Sequence, residues 1–167
     1  MLYLHGMGHF NPEIVISNQF LEDLDIGTSN EWILERVGIA NRRTVLPLEY
    51  IKRTKNEDFR AAFEARLYTN AQMAAKAARE ALRRALLVPE DIGMVIAGSS
   101  SPDSIAPAES SAVAAELGIE VPCFDMNSAC SSFGMQMNFL SKMDPETLPP
   151  CVLVVDSETL TKSVNYA

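Results

Sequence analysis

The chain has no uninterrupted run of eighteen apolar residues and no basic amino-terminal stretch ahead of a greasy one, so neither a membrane-spanning helix nor a secretory leader is expected. Cysteine is sparse. The 167 residues hold three, with no CxxC pair, which supports neither a disulfide framework nor a zinc site and makes a reducing cytoplasm the expected compartment. Only two histidines occur, His5 and His9, and no metal site is expected from them. Gly6 and Gly8 lack the GxGxxG spacing of a phosphate loop, and with Pro12 following they read as a strand end and turn. Positive charge is in deficit, 14 Lys and Arg against 22 Asp and Glu, and the net charge of −8 argues against nucleic acid as a partner. Neither an internal repeat nor a low-complexity tract is present.

What the chain does contain is an alternation of short β-like and longer helical segments, the pattern of an α/β fold with a largely parallel sheet. The first strand is expected over Leu2–His9. Short helices follow over Asn18–Leu24, capped by Ser17 or Asn18, and over Ser29–Val37, stopped at Gly38. Residues 44–68 form a mixed-charge, aromatic-bearing stretch that reads as an insertion with some helix. The clearest helix spans Asn70–Leu87, where Ala71, Ala74, Ala75, Ala78, Leu82 and Ala85 fall on one small, flat face suited to lying against a sheet. Strands are expected over Asp91–Gly98, Val121–Asp125 and Cys151–Asp156, with helices over Ala108–Leu117 and Cys130–Lys142. The loop Ser99–Pro107 leaves the carboxyl end of a strand, where ligands gather in open α/β sheets.

Cys130 lies where a strand-like segment passes through Asn127-Ser128-Ala129 into a helix. A thiol in the first turn of a helix meets the positive end of the helix dipole and unpaired N–H groups, which favour thiolate, and small neighbours leave room for a carbonyl. The alternative is a buried structural cysteine, the commoner fate of the residue. Cys123 and Cys151 sit in apolar strand-like runs and read as inert core thiols. Trp32 and Arg36, one helical turn apart, read on spacing alone as a packing aromatic and a surface ion-pair partner of Glu31 or Glu35.

Three blocks in order along the chain resemble β-ketoacyl-acyl carrier protein synthase III, a thiolase-fold condensing enzyme. Thr28-Ser29-Asn30-Glu31-Trp32-Ile33 with Arg36, Gly38, Ile39 and Arg42 is similar to the family's tryptophan block. Asp125–Phe133 is similar to its nucleophile segment, DxxxACxxF. Between them lie the alanine-rich helix, the Pro89-Glu90-Asp91-Ile92-Gly93 turn and the serine-rich loop. The resemblance implies the first of the two similar halves of a thiolase-like fold over residues 1–167. It also implies an acyltransferase of fatty-acid or related lipid biosynthesis in which Cys130 takes an acyl group from acyl-coenzyme A and passes it to the carbanion left by decarboxylation of malonyl-acyl carrier protein. Trp32 would stack on the adenine of coenzyme A and Arg36 would approach its phosphates. Coenzyme A enters as a thioester substrate, with no further cofactor, and a homodimer is implied.

The family's catalytic histidine and asparagine belong to a second half that has no counterpart here, and the match stops short of the family's second adenine-binding arginine. A fragment, or one partner of a split enzyme whose second chain supplies the rest, is therefore expected, inactive in condensation when alone. Ala106 before Pro107 stands where the family's fatty-acid initiators often carry Phe, so a roomier acyl channel is expected there. A ketosynthase of specialised metabolism, of long-chain acyl or polyketide type, would share all these motifs. A non-catalytic thiolase-like partner chain is the third reading.

Overall fold

The computed structural model describes residues 2–167. The chain divides into two units, one built from residues 2–10 and Thr69–Glu158, the other from Asn11–Tyr68 and Thr159–Ala167.

Within Asn11–Tyr68, β1 (Ile14–Ser17) runs directly into α1 (Asn18–Asp23), because Ser17 Oγ accepts the Phe20 N–H and caps the helix. After α2 (Asn30–Val37) comes β2 (Asn41–Thr44), antiparallel to β1 with Ile16 opposite Arg42. Two short helices, α3 (Leu48–Thr54) and α4 (Phe59–Ala65), occupy the charged stretch. Ile16, Phe20, Leu24, Leu46, Ile51, Ala62 and Tyr166 form the core of this unit. The last residues are tied in by the buried Asn56, whose amide donates to the carbonyls of Lys162 and Val164 at 2.8 Å each. Burial pushes the Tyr166 phenol up to about 12.

The other unit carries α5 (Asn70–Ala85), β3 (Met94–Gly98), α6 (Glu109–Leu117), β4 (Cys123–Asp125), α7 (Ser132–Lys142) and β5 (Val152–Asp156). The three strands are parallel in the order β4-β3-β5, with Ile96 beside Phe124 and Val154. Side chains alternate across β3. Val95 and Ala97 pack with the alanine face of α5 and with Val113, Ala114 and Leu117 of α6. Phe124, level with Ile96 on the opposite face, meets Phe139 of α7 edge-on at 5.6 Å between centroids. A capping box of Thr69 and Gln72 starts α5. Asn70 then anchors it to the sheet ends, donating to Ser99 Oγ at 2.9 Å and the Ser157 carbonyl at 3.0 Å.

The strand expected over Leu2–His9 does not form: these residues have no regular structure and no described strand pairs with them. Apolar composition does not make a strand without a ladder to bond with. Gly6 and Gly8 instead cross α5 so closely that a Cβ would strike the carbonyl oxygen of Ala81 or of Ala77. The strand expected from Asp91 starts at Met94, since Pro89–Asp91 form a 3-10 turn held by the Val88 N–H on Asp91 Oδ2 at 2.8 Å.

Candidate functional site

Beyond β4 the backbone makes a 3-10 turn over Ala129–Ser131 before α7 begins at Ser132. The helix expected from Cys130 therefore starts two residues later, and Cys130 lies in the turn that precedes it. The cause is local. Ala129 has φ +48°, which no α-helical residue adopts, and Ser131 has ψ +7°. Cys130 is exposed, whereas Cys123 and Cys151 are half-buried. Burial pushes both of those thiols up, reinforced by the Asp125 carboxylate beside Cys123 and the Asp91 carboxylate beside Cys151. Accessibility thus separates Cys130 from the other two.

The turn is held from several sides. Gln136, one turn into α7 and fully buried, donates to the Met126 carbonyl and to Asp156 Oδ1 at the end of β5, both at 2.9 Å. Burial pushes the Asp156 carboxyl above the ordinary carboxylate range, the Gln136 hydrogen bond opposes this, and the Glu158 charge adds to it. Asp125 turns the other way and accepts the N–H groups of Glu109 and Ser110 at 2.8 Å each, capping α6. In the adjoining loop, Glu158 accepts the Ser100 N–H at 2.6 Å and the Ser101 hydroxyl at 2.7 Å. Gln136, Asp156 and Glu158 are absent from the sequence reading. Only the sheet order brings Asp156 and Glu158 to the cysteine turn, and no spacing pattern links them to it.

Trp32 and Arg36 belong to the other unit. Ser29 Oγ accepts the Trp32 N–H at 3.1 Å and starts α2, and Gly38 ends it at φ +67°. Ile33 is buried beneath, so Trp32 is turned outward and remains 52% exposed, with the Arg36 guanidinium 5.4 Å from its ring centroid. The tryptophan is thus a surface group, and the arginine meets it rather than lying apart. Asn18, buried, braces this helix by donating to Asn30 Oδ1 and the Ile39 carbonyl while accepting from Arg42 at 2.6 Å. Ala106 is exposed in the loop after β3, next to Ile105, which is wholly exposed. Among the described residues no helix is long and apolar enough to cross a membrane.

A parallel sheet with helices on its faces, and a cysteine on the turn between a strand end and a helix, is a thiolase-like arrangement, here about half of the complete fold. The relatives agree. β-Ketoacyl-[acyl-carrier-protein] synthase III of Fusobacterium nucleatum is 30% identical over 163 residues, covering 97% of this chain and 44% of that protein. The crystal structure of 3-oxoacyl-[acyl-carrier-protein] synthase III from Aquifex aeolicus superposes with a TM-score of 0.77 at 31% identity, over 96% of this chain and 46% of that one. The priming β-ketosynthase of the R1128 polyketide pathway gives a TM-score of 0.73 at 27% identity, over 95% and 42%. No family model matches the chain. The resemblance to β-ketoacyl-acyl carrier protein synthase III therefore holds in sequence and in fold, and the chain spans under half the length of the relatives it matches.

Proposed function

We propose that this chain carries the acyl-accepting cysteine of a condensing acyltransferase of fatty-acid or related lipid biosynthesis. The observation that carries the reading is the exposure of Cys130 on the turn ahead of α7, in a fold shared with condensing enzymes. The thiolate sulfur attacks the carbonyl carbon of an acyl-coenzyme A, the carbon–sulfur bond to coenzyme A breaks, and coenzyme A leaves as its thiol after protonation. The Cys130 N–H faces the developing oxyanion. Decarboxylation of malonyl-acyl carrier protein then supplies the carbanion that takes the acyl group, a step whose histidine and asparagine lie outside this sequence. Trp32 stacks on the adenine and Arg36 meets the phosphates, a use for an exposed aromatic that packs no core. The protein acts as a homodimer, with any second half supplied by further chain or by a partner chain.

The test is mass spectrometry after incubation with acetyl-, octanoyl- and dodecanoyl-coenzyme A. An acyl adduct mapped to Cys130 and lost in Cys130→Ala is the expected result, and absence of any adduct would leave the non-catalytic reading. The exposed Ala106 loop predicts that octanoyl and dodecanoyl donors react at least as well as acetyl, and a strict acetyl preference would remove Ala106 from the acyl channel. The likeness to a polyketide priming ketosynthase keeps specialised metabolism as a second reading, separated by the same donor series.

A further inference from the structure

The turn that carries Cys130 contains a residue in a conformation its side chain disfavours. Ala129, immediately before the cysteine, lies at φ +48°, a left-handed geometry disfavoured by roughly 5- to 30-fold in population for a residue with a Cβ. Such a geometry persists only where the surroundings over-determine it. Asn127 meets that need. Its Oδ1 accepts the Ala129 N–H at 3.0 Å and lies 3.1 Å from Ser132 Oγ and 3.4 Å from Ser100 Oγ. Ser132 Oγ in turn accepts the Ser128 N–H at 2.8 Å and sits 2.8 Å from the Ala129 carbonyl. The N–H groups of Ser128 and Ala129 are thereby held by one hydroxyl and one carboxamide oxygen, and that oxygen also touches the loop after β3. An Asn bonded to the backbone two residues on is a local turn lock.

We propose that Asn127 is a positioning residue: it holds Ala129 in the left-handed conformation and so fixes the direction in which the Cys130 thiol and N–H are presented to an acyl thioester. This rests on the reading of Cys130 as the acyl acceptor. Asn127 is itself exposed and outside the core clusters, so its truncation removes the lock without opening the core. Glycine at position 129 adopts the left-handed conformation without a Cβ penalty and makes the lock dispensable.

The experiment is a rate measurement of Cys130 acylation by acetyl-coenzyme A, followed by intact-protein and peptide mass spectrometry, on the wild type, Asn127→Ala, Ala129→Gly and the double variant. Asn127→Ala is expected to acylate roughly tenfold more slowly, the population penalty at Ala129 being of that order. The double variant is expected to return to within roughly threefold of the wild type, because glycine removes the penalty. A loss of general stability would not be repaired by adding a second, more flexible residue, so the rescue separates positioning from structure. Wild-type rate in Asn127→Ala, or a double variant no faster than Asn127→Ala, overturns the proposal while leaving Cys130 as acceptor. A wild type that takes no acyl group overturns the acceptor reading and the positioning role with it.

Discussion

Gly98→Ala is expected to lower the melting temperature by about 5–18 °C. Gly98 ends the central strand β3, beside Asp156 of β5, and its carbonyl accepts the Ser157 N–H at 3.2 Å. A Cβ there would overlap Asp156 Oδ1, lie 2.7 Å from Gln136 Nε2 and lie 3.0 Å from Ser132 Cβ. The strand cannot move aside, since it pairs on both edges. Overfilling packed space costs about 1–3 kcal/mol. Separating Gln136 from the Asp156 carboxylate adds about 1.5–3 kcal/mol, taken at its lower end because Asp156 keeps contact with solvent. The total of about 2.5–4.5 kcal/mol converts at about 2–4 °C per kcal/mol for a chain of this length. Thermal unfolding followed by circular dichroism measures it. Gly134→Ala is the internal control: it lies within α7 with nothing within 4 Å of its Cβ, so it should gain about 0.5–1 kcal/mol. A Gly98→Ala protein melting within about 2 °C of the wild type would refute the close packing of the Gln136–Asp156 pair.

Asp156 also sets a pH dependence. Its folded carboxyl holds a proton above the ordinary value of 3.8, so from about pH 4 upward the unfolded chain binds fewer protons and stability falls until the folded carboxyl also ionises. Asp156→Asn keeps an acceptor for Gln136 and removes the ionisation. Its urea midpoint should gain on the wild type as pH rises through that window, and parallel curves would show that burial of the carboxyl is not felt. Trp32→Ala should weaken coenzyme A binding, measured by calorimetry, by roughly 5- to 150-fold, the worth of one base stacked on an aromatic. Because Trp32 is the chain's one tryptophan, coenzyme A should also quench its emission in the wild type; unchanged affinity in Trp32→Ala would remove it from the site.

The helices were legible where their signals are local. Ser29 and Gly38 bracket α2, the Thr69 and Gln72 box opens α5, and Gly118 closes α6 at φ +78°, each by bonds within a few residues. Strands were less so. β2 is the polar run Asn41-Arg42-Arg43-Thr44, which is a strand only because β1 offers it a ladder, while the more apolar Leu2–His9 has none and is not one.

Sequence by itself determined the α/β class, the alanine face of α5, the resemblance to condensing enzymes, and Cys130 as the candidate nucleophile. Those are properties of residue type and short spacing. Tertiary structure decided that Gln136 joins the cysteine turn to Asp156 and that Asn127 of that turn meets Ser100 of the loop after β3. The physical reason is distance along the chain. Asp156 lies on a strand that reaches the turn only by pairing beside β3, and a hydrogen bond between such residues leaves no periodic mark in the sequence.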